Sequence, residues 1–258
     1  MTVQEMVKLY EEGKSAYEIL ALTDYKSVNS IYNRIRKYTT MRSKAGFVNP
    51  NIVHNYFETI DTEAKAYFLG FIMADGCVSI RKDSQNCLSI EIRDYDKYIL
   101  EKFKEEIKTD NIIENTRKDC VRLRIHSNKI FEDLAKFNIV PDKCHKHNSC
   151  VILDEPYMKH FIRGLFDGDG WVYNRKNNKL SFGICGTYES MDSIKKYLIK
   201  TLNLSNVKTG KYYGKVPFFL FSNQKDIKKI YDYLYEDATI FLTRKKEKFD
   251  RINTEVNK

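Results

Sequence analysis

Residues 68–76 read Phe-Leu-Gly-Phe-Ile-Met-Ala-Asp-Gly, and residues 162–170 read Ile-Arg-Gly-Leu-Phe-Asp-Gly-Asp-Gly. Gly70 aligns with Gly164, Asp75 with Asp169 and Gly76 with Gly170, each pair 94 positions apart. A short apolar helix that ends in an acid and a glycine, used twice in one chain, predicts two similar halves. Small residues recur at four-residue spacing, Ala66, Gly70 and Ala74 in one segment and Gly164 and Gly168 in the other. On a helix such residues share a face and let a second helix backbone come close. If the two helices pair about a pseudo-twofold axis, Asp75 and Asp169 meet at their C-terminal ends. Two adjacent carboxylates repel unless a cation neutralises them. Oxygen ligands with no cage of Cys or His suit Mg²⁺.

Outward from the two segments the pattern repeats. Thr62 is placed to cap the first helix, with Lys65 rather than Glu three residues on, so no full capping box is expected. After Gly76 the apolar period switches from helical to two. Val78 and Ile80 oppose Ser79, Arg81, Asp83 and Gln85, and Leu88, Ile90 and Ile92 alternate with Ser89, Glu91 and Arg93. A helix over 95–108, strands over 112–117 and 121–126 and a helix over 128–137 complete the first half. After Gly170, strands at 171–175 and around Leu180, Phe182 and Ile184, a helix over 188–202, strands near 207–213 and 217–221 and a helix over 224–236 repeat the order. A basic helix over 239–252 follows. A repeat at the level of element order is stronger than either nine-residue phrase alone.

The 258 residues carry 44 Lys and Arg against 35 Asp and Glu, a formal charge of +9 that favours an anionic partner, nucleic acid above all. No apolar run is long enough to span a membrane. The N-terminus lacks the basic and apolar regions of a signal peptide, and the six Cys are scattered, so the expectation is an intracellular protein with reduced thiols. It would be cytoplasmic if bacterial or phage, with an organelle as the other setting. Residues 4–38 read as three short helices, with Ser15 as an N-cap for the second and the third starting near Ser27. The third resembles the recognition helix of a resolvase-like helix-turn-helix. Its polar face shows Asn29, Ser30, Asn33 and Arg34, and residues 26–46 hold six basic residues and no acid. The boundaries expected are a helix-turn-helix-like domain at 1–45, a linker at 46–60, and two repeats at 61–153 and 154–258.

Over roughly residues 60–252 the chain resembles the LAGLIDADG homing endonucleases in their single-chain, two-motif form. The resemblance rests on residues 66–76 and 161–170, supported by Val140-Pro141-Asp142-Lys143 and Leu242-Thr243-Arg244-Lys245. It implies an α+β fold of two pseudo-symmetric αββαββα halves forming a DNA-binding saddle, here after a small three-helix domain. It implies cutting of both strands across the minor groove with short 3′ overhangs, by a monomer whose internal symmetry replaces a dimer. Asp75 and Asp169 become the metal-binding catalytic acids. Lys143 and Lys245 become candidates for orienting water or stabilising phosphate. Asp167 has Met73 as its counterpart, so the first motif lacks the family's earlier acid, which is not its metal-binding one.

A twisted antiparallel sheet presents alternate side chains to a major groove. The candidates are Ser79, Arg81, Asp83 and Gln85 in one half and Tyr173, Arg175, Asn177 and Lys179 in the other, with Ser89, Arg93, Arg122 and Arg124 extending the surface. The halves carry different residues, so a long, non-palindromic site is expected on double-stranded DNA. The competing reading is a non-catalytic binder of the same fold, either a DNA regulator or a maturase with intron RNA as partner. Retention of both motif acids favours the enzyme. Cys144, His145, His147 and Cys150 fit no standard zinc spacing and read as loop residues.

Overall fold

The computed structural model describes residues 1–40, 48–82, 84–143, 150–175, 179–212 and 216–250. It divides into two compact units, Met1–Phe47 and Val48–Lys258.

The smaller unit contains α1 (Val3–Glu11), α2 (Ala16–Leu20) and α3 (Val28–Ile35). Thr2 and Ser15 form capping boxes with Glu5 and Glu18, each satisfying backbone donors that a helix start leaves open. Met6, Tyr10, Ala16, Ile19, Ile31 and Ile35 close a core of their own. α3 stops at Ile35, short of the expected Tyr38. There the amides of Lys37 and Tyr38 turn back to the carbonyls of Arg34 and Ile35 in tighter, three-residue steps.

The larger unit holds the two halves. The first runs α4 (Glu63–Asp75), β1 (Gly76–Ser79), β2 (Cys87–Arg93), α5 (Lys97–Ile107), β3 (Glu114–Asn115), β4 (Cys120–His126) and α6 (Asn128–Lys136). The second runs α7 (Tyr157–Asp169), β5 (Gly170–Asn174), β6 (Leu180–Cys185), α8 (Tyr188–Leu202), β7 (Thr209–Tyr212), β8 (Val216–Phe221) and α9 (Gln224–Tyr235), followed by α10 (Thr243–Asp250). Each half forms a four-stranded antiparallel sheet, in the order β1-β2-β4-β3 and β5-β6-β8-β7. The fold is α+β, with αββαββα written twice.

Residues 48–60 are not a free linker. Ile52, Tyr56 and Phe57 are buried, Phe57 against Phe103 of α5, and the amide of Val53 bonds the carbonyl of Ile107. Burial of three large side chains holds this stretch to the first half. One core runs through both halves, because α4 and α7 lie at its centre. α4 is buried nearly all round from Ala64 to Ile72, as an apolar helix between two layers must be. Arg163 of α7 is fully buried and ties the halves together. Its guanidinium donates to Glu63 Oε1 at the start of α4 (2.5 Å), to the Ile240 carbonyl (2.8 Å) and to the Leu234 carbonyl (2.8 Å).

Candidate active site at the paired helix ends

α4 and α7 meet at backbone contact. A Cβ on Gly70 would stand 2.0 Å from the carbonyl oxygen of Phe161, and one on Gly164 would stand 1.9 Å from that of Tyr67. These pairs exchange under the 94-residue offset, so the crossing is itself two-fold. Further along, a Cβ on Gly168 would meet Ala74 Cβ at 2.2 Å and Asp75 Oδ2 at 3.2 Å. The small-residue faces read from the sequence are therefore the interface, and Asp75 and Asp169 end the two helices beside each other.

Their electrostatics follow from that placement. Asp75 opens to solvent at a cleft yet is ringed by protein, and its carboxyl is pushed up to about 6. Partial burial is the main cause and the charge of Asp169 the next, with Lys245, Lys143 and Arg244 opposing. Asp169 is raised as well, chiefly by burial, against the pull of Lys143 and Lys245. A cation between the two would relieve both effects.

The two lysines lie here, placed by the same symmetry. Lys143 Nζ donates to the carbonyls of Ile72 (2.7 Å), Ala74 (3.2 Å) and Gly76 (2.5 Å). Lys245 Nζ donates to Phe166 (2.7 Å), Gly168 (3.2 Å) and Gly170 (2.6 Å). The acceptors correspond one by one across the repeat. An ammonium has three donors, so each lysine neutralises the orphan carbonyls of one motif helix's last turn and clamps the peptide on either side of the aspartate. Burial pulls Lys245 down to about 8.

Three further groups line the site. Arg244 grips Asp96 through Nε and Nη2 at 2.7–3.1 Å, and both flank the cleft at Asp75. Asp167 is buried below it. Its Oδ2 accepts from the Tyr67 hydroxyl (2.9 Å) and the Leu242 amide (2.7 Å), while Oδ1 has no hydrogen-bond partner. Burial pushes Asp167 up to about 7. The sequence marks Asp167 as a motif acid with no first-half counterpart and gives Arg244 no role; the partner of Arg244 lies 148 positions away and leaves no local signal.

A stability prediction arises at Asp167. Its folded pKa lies well above the ordinary aspartate value. Between about pH 4 and 7 the unfolded chain therefore sheds a proton that the folded chain keeps, and stability falls as pH rises. Asp167→Asn retains an acceptor and removes the charge. In EDTA, its melting temperature relative to wild type should climb from pH 4 to 8, by the equivalent of up to about 4 kcal/mol. A pH-independent difference would show that the carboxyl is not held neutral.

The strand candidates divide. Arg93, Arg122 and Arg124 share the outward face of the first sheet with Ser89 and Glu91. Arg122 bonds Glu91 (Nε–Oε2 2.9 Å) and Arg124 bonds Glu114 (2.7 Å). Ser79 is half-buried at the end of β1, and Arg81 is exposed in the turn beyond it. Tyr173, Arg175 and Lys179 are exposed around the first hairpin of the second half, closed by Arg175 N to Lys179 O. Asp83 and Asn177 lie outside the described residues, as do 144–149 of the Cys/His segment. Gln85 does not face a groove: it is buried, and its Oε1 accepts from the Asn128 amide at the start of α6. The period-two reading fails because β1 ends at Ser79, so Ile80, expected inward, is 69% exposed. In the smaller unit Asn29 and Asn33 are exposed. Ser30 Oγ meets the cap hydroxyl of Ser27 (3.1 Å), and Arg34 folds over the Tyr25 ring (4.2 Å).

No protein-family model and no curated protein sequence matches the chain. Solved structures do match it by shape. The LAGLIDADG meganuclease I-AabMI bound to uncleaved DNA superposes with a TM-score of 0.53 at 17% identity, over 74% of this chain and 90% of that one. The fold is that of the LAGLIDADG homing endonucleases. I-GzeII, a LAGLIDADG homing endonuclease in complex with its DNA target, gives 0.53 at 15% identity, over 76% and 89%. I-SmaMI, bound to an uncleaved DNA target in the presence of calcium ions, gives 0.52 at 17%, over 75% and 90%. The LAGLIDADG fold thus accounts for three-quarters of the chain.

Among the described residues no group of three or more His, Cys, Asp or Glu could hold a metal, and no helix is long and apolar enough to cross a membrane. Two carboxylates at one point still fit a hard cation. Mg²⁺ keeps several waters and is commonly bound through one or two carboxylates plus substrate phosphates, and a cation here would oppose the burial and the Asp169 charge that raise Asp75.

Proposed function

We propose that this chain is a site-specific double-strand DNA endonuclease that depends on Mg²⁺. The observation that carries this reading is the pair Asp75 and Asp169, held at the ends of two helices in backbone contact and both raised in pKa, chiefly by burial. When bound there, Mg²⁺ would supply an activated water and offset charge on the attacking and leaving oxygens. Asp75 and Asp169 are the residues that would hold it. Lys143 and Lys245 hold the peptides around those aspartates and add positive charge where phosphates approach. They are positioning residues in this reading. Arg93, Arg122 and Arg124 of the first sheet and Tyr173, Arg175 and Lys179 of the second contact bases and phosphates of a long, asymmetric site. The helix-turn-helix-like unit adds contacts through Asn29 and Asn33. The internal repeat takes the place of a dimer, so a monomer acts.

The test is cleavage of a randomised duplex library by the full-length chain in Mg²⁺ and in EDTA. The expected result is one enriched cut sequence in Mg²⁺ and no cutting in EDTA. Specific binding with no cutting in Mg²⁺ or Mn²⁺ would replace the enzyme with a DNA-binding regulator.

A further inference from the structure

The two sheets share a topology but not a surface chemistry. In the first half, the segments 76–93 and 109–126, which contain its four strands, carry seven Lys and Arg and five Asp and Glu. The outward face there is polar, with Glu91 opposite Arg122 and Ser89 opposite Arg124 in the register, and Arg122 and Arg124 rest on carboxylates. In the second half, 170–185 and 203–221 carry six Lys and Arg and no acid. Yet the outward positions of β5, β6 and β8 carry no charge and, Ser181 apart, are apolar or aromatic. Trp171 stands opposite Gly183, and Gly183 opposite Leu220. Phe218 stands opposite Gly210.

The glycines let the rings approach the sheet backbone. A Cβ on Gly183 would fall 2.5 Å from Cζ2 of Trp171, and one on Gly210 would fall 2.8 Å from Cζ of Phe218. Trp171 and Phe218 meet edge to face, with ring centroids 5.8 Å apart. Tyr173 (64% exposed) and Val216 (43%) extend the shelf at its margin. An aromatic shelf that is half-buried at Trp171, Phe218 and Leu220 and exposed at its margin, inside segments whose only charges are positive, is complementary to a surface that is anionic at its edges and apolar in its floor. A major groove with phosphates at the rims and thymine C5-methyl groups in the floor has that character.

We propose that the halves read DNA by different chemistry: the second sheet reads thymine methyls through Trp171, Phe218 and Leu220, and the first reads hydrogen-bonding edges through its arginines. The inference rests on the DNA-binding part of the function proposed above. It predicts one thymine-rich half-site and one half-site of mixed sequence.

The experiment selects duplexes bound by the full-length chain in Ca²⁺, then compares Leu220→Ser and Arg124→Gln to learn which half each sheet contacts. Thymines in each half are then replaced by deoxyuridine, which removes only the methyl. Each replacement in the half altered by Leu220→Ser should weaken binding roughly three- to fivefold, the worth of one methyl taken from water. The half altered by Arg124→Gln should tolerate deoxyuridine. Tolerance in both halves, or a loss confined to the Arg124 half, would overturn the inference and leave the shelf as sheet packing alone. A selected duplex that shows the thymine effect but is never cut in Mg²⁺ would overturn the endonuclease and spare the inference. Failure to enrich any duplex would overturn both.

Discussion

Asp75→Asn and Asp169→Asn are each expected to abolish double-strand cleavage, by about three orders of magnitude or more, while leaving the affinity for the selected duplex within a few-fold of wild type. Asparagine keeps the size and one acceptor oxygen of the side chain but removes the negative charge that a divalent ion needs. The loss of several kcal/mol of transition-state stabilisation corresponds to that drop. Folding should not suffer. Asp75 is raised to about 6, so the folded chain disfavours its ionised form relative to the unfolded chain. Above that pH the carboxylate works against stability, and the neutral amide removes the repulsion from Asp169. Melting temperature at pH 8 in EDTA should therefore be unchanged or higher in Asp75→Asn. Wild-type cleavage at limiting Mg²⁺ should fall as pH drops through about 6, because Asp75 takes up a proton in place of the ion. Cleavage and binding are read on the same duplex, with strand-specific labels to reveal nicking. Robust double-strand cutting by either variant would remove that aspartate from the mechanism. A parallel loss of binding and stability would make it a structural acid instead.

How far the sequence discloses this site depends on which interactions are local. The repeat, the element order and the span of α8, Tyr188–Leu202, are legible because side-chain periodicity and caps act within a few residues. So is the meeting of Asp75 with Asp169, since a repeated Gly-x-x-x-small face has few ways to be buried. Gln85 is misread because its partner, Asn128, is 43 positions away, and because a two-residue period continues on paper after the strand has ended. The first-half strand expected over 112–117 shrinks to Glu114–Asn115, an edge pair held only by Arg122 and Val121 across the ladder. The lysines are marked by resemblance alone. Their grip on backbone carbonyls about 70 to 80 positions away has no side-chain signature, because the acceptors are peptide groups that every residue carries. The contrast between the sheets is written in composition but takes on meaning only once the register places Trp171, Gly183 and Leu220 in one row.

Gly164→Ala should be the most damaging single-methyl change in the larger unit. The new Cβ would stand 1.9 Å from the carbonyl oxygen of Tyr67 and 2.9 Å from the amide nitrogen of Phe71. Both obstacles are backbone, so no rotamer change relieves the clash, and α4 and α7 must separate by more than an ångström. Overpacking costs about 1–3 kcal/mol where side chains can yield, and a contact with helix backbone lies at or beyond the upper end. A loss of about 3 kcal/mol would lower the melting temperature by roughly 6–12 °C in a unit of this size. Gly186→Ala serves as the control. There the nearest atom is the methyl of Met191 at 2.9 Å, the far end of a flexible chain, and a shift of no more than about 2–4 °C is expected. Since Asp75 and Asp169 hang from the separated helices, cleavage by Gly164→Ala should also fall, by about 100-fold for a displacement of an ångström. The pattern differs from that of Asp75→Asn, which loses cleavage and keeps stability. Gly70→Ala, its partner under the pseudo-twofold, should reproduce both losses, with the clash at 2.0 Å from Phe161. A Gly164→Ala protein that melts within 2 °C of wild type, by calorimetry at matched pH, would mean that the two helices do not touch at their backbones. The active site would then need another means of holding its aspartates together.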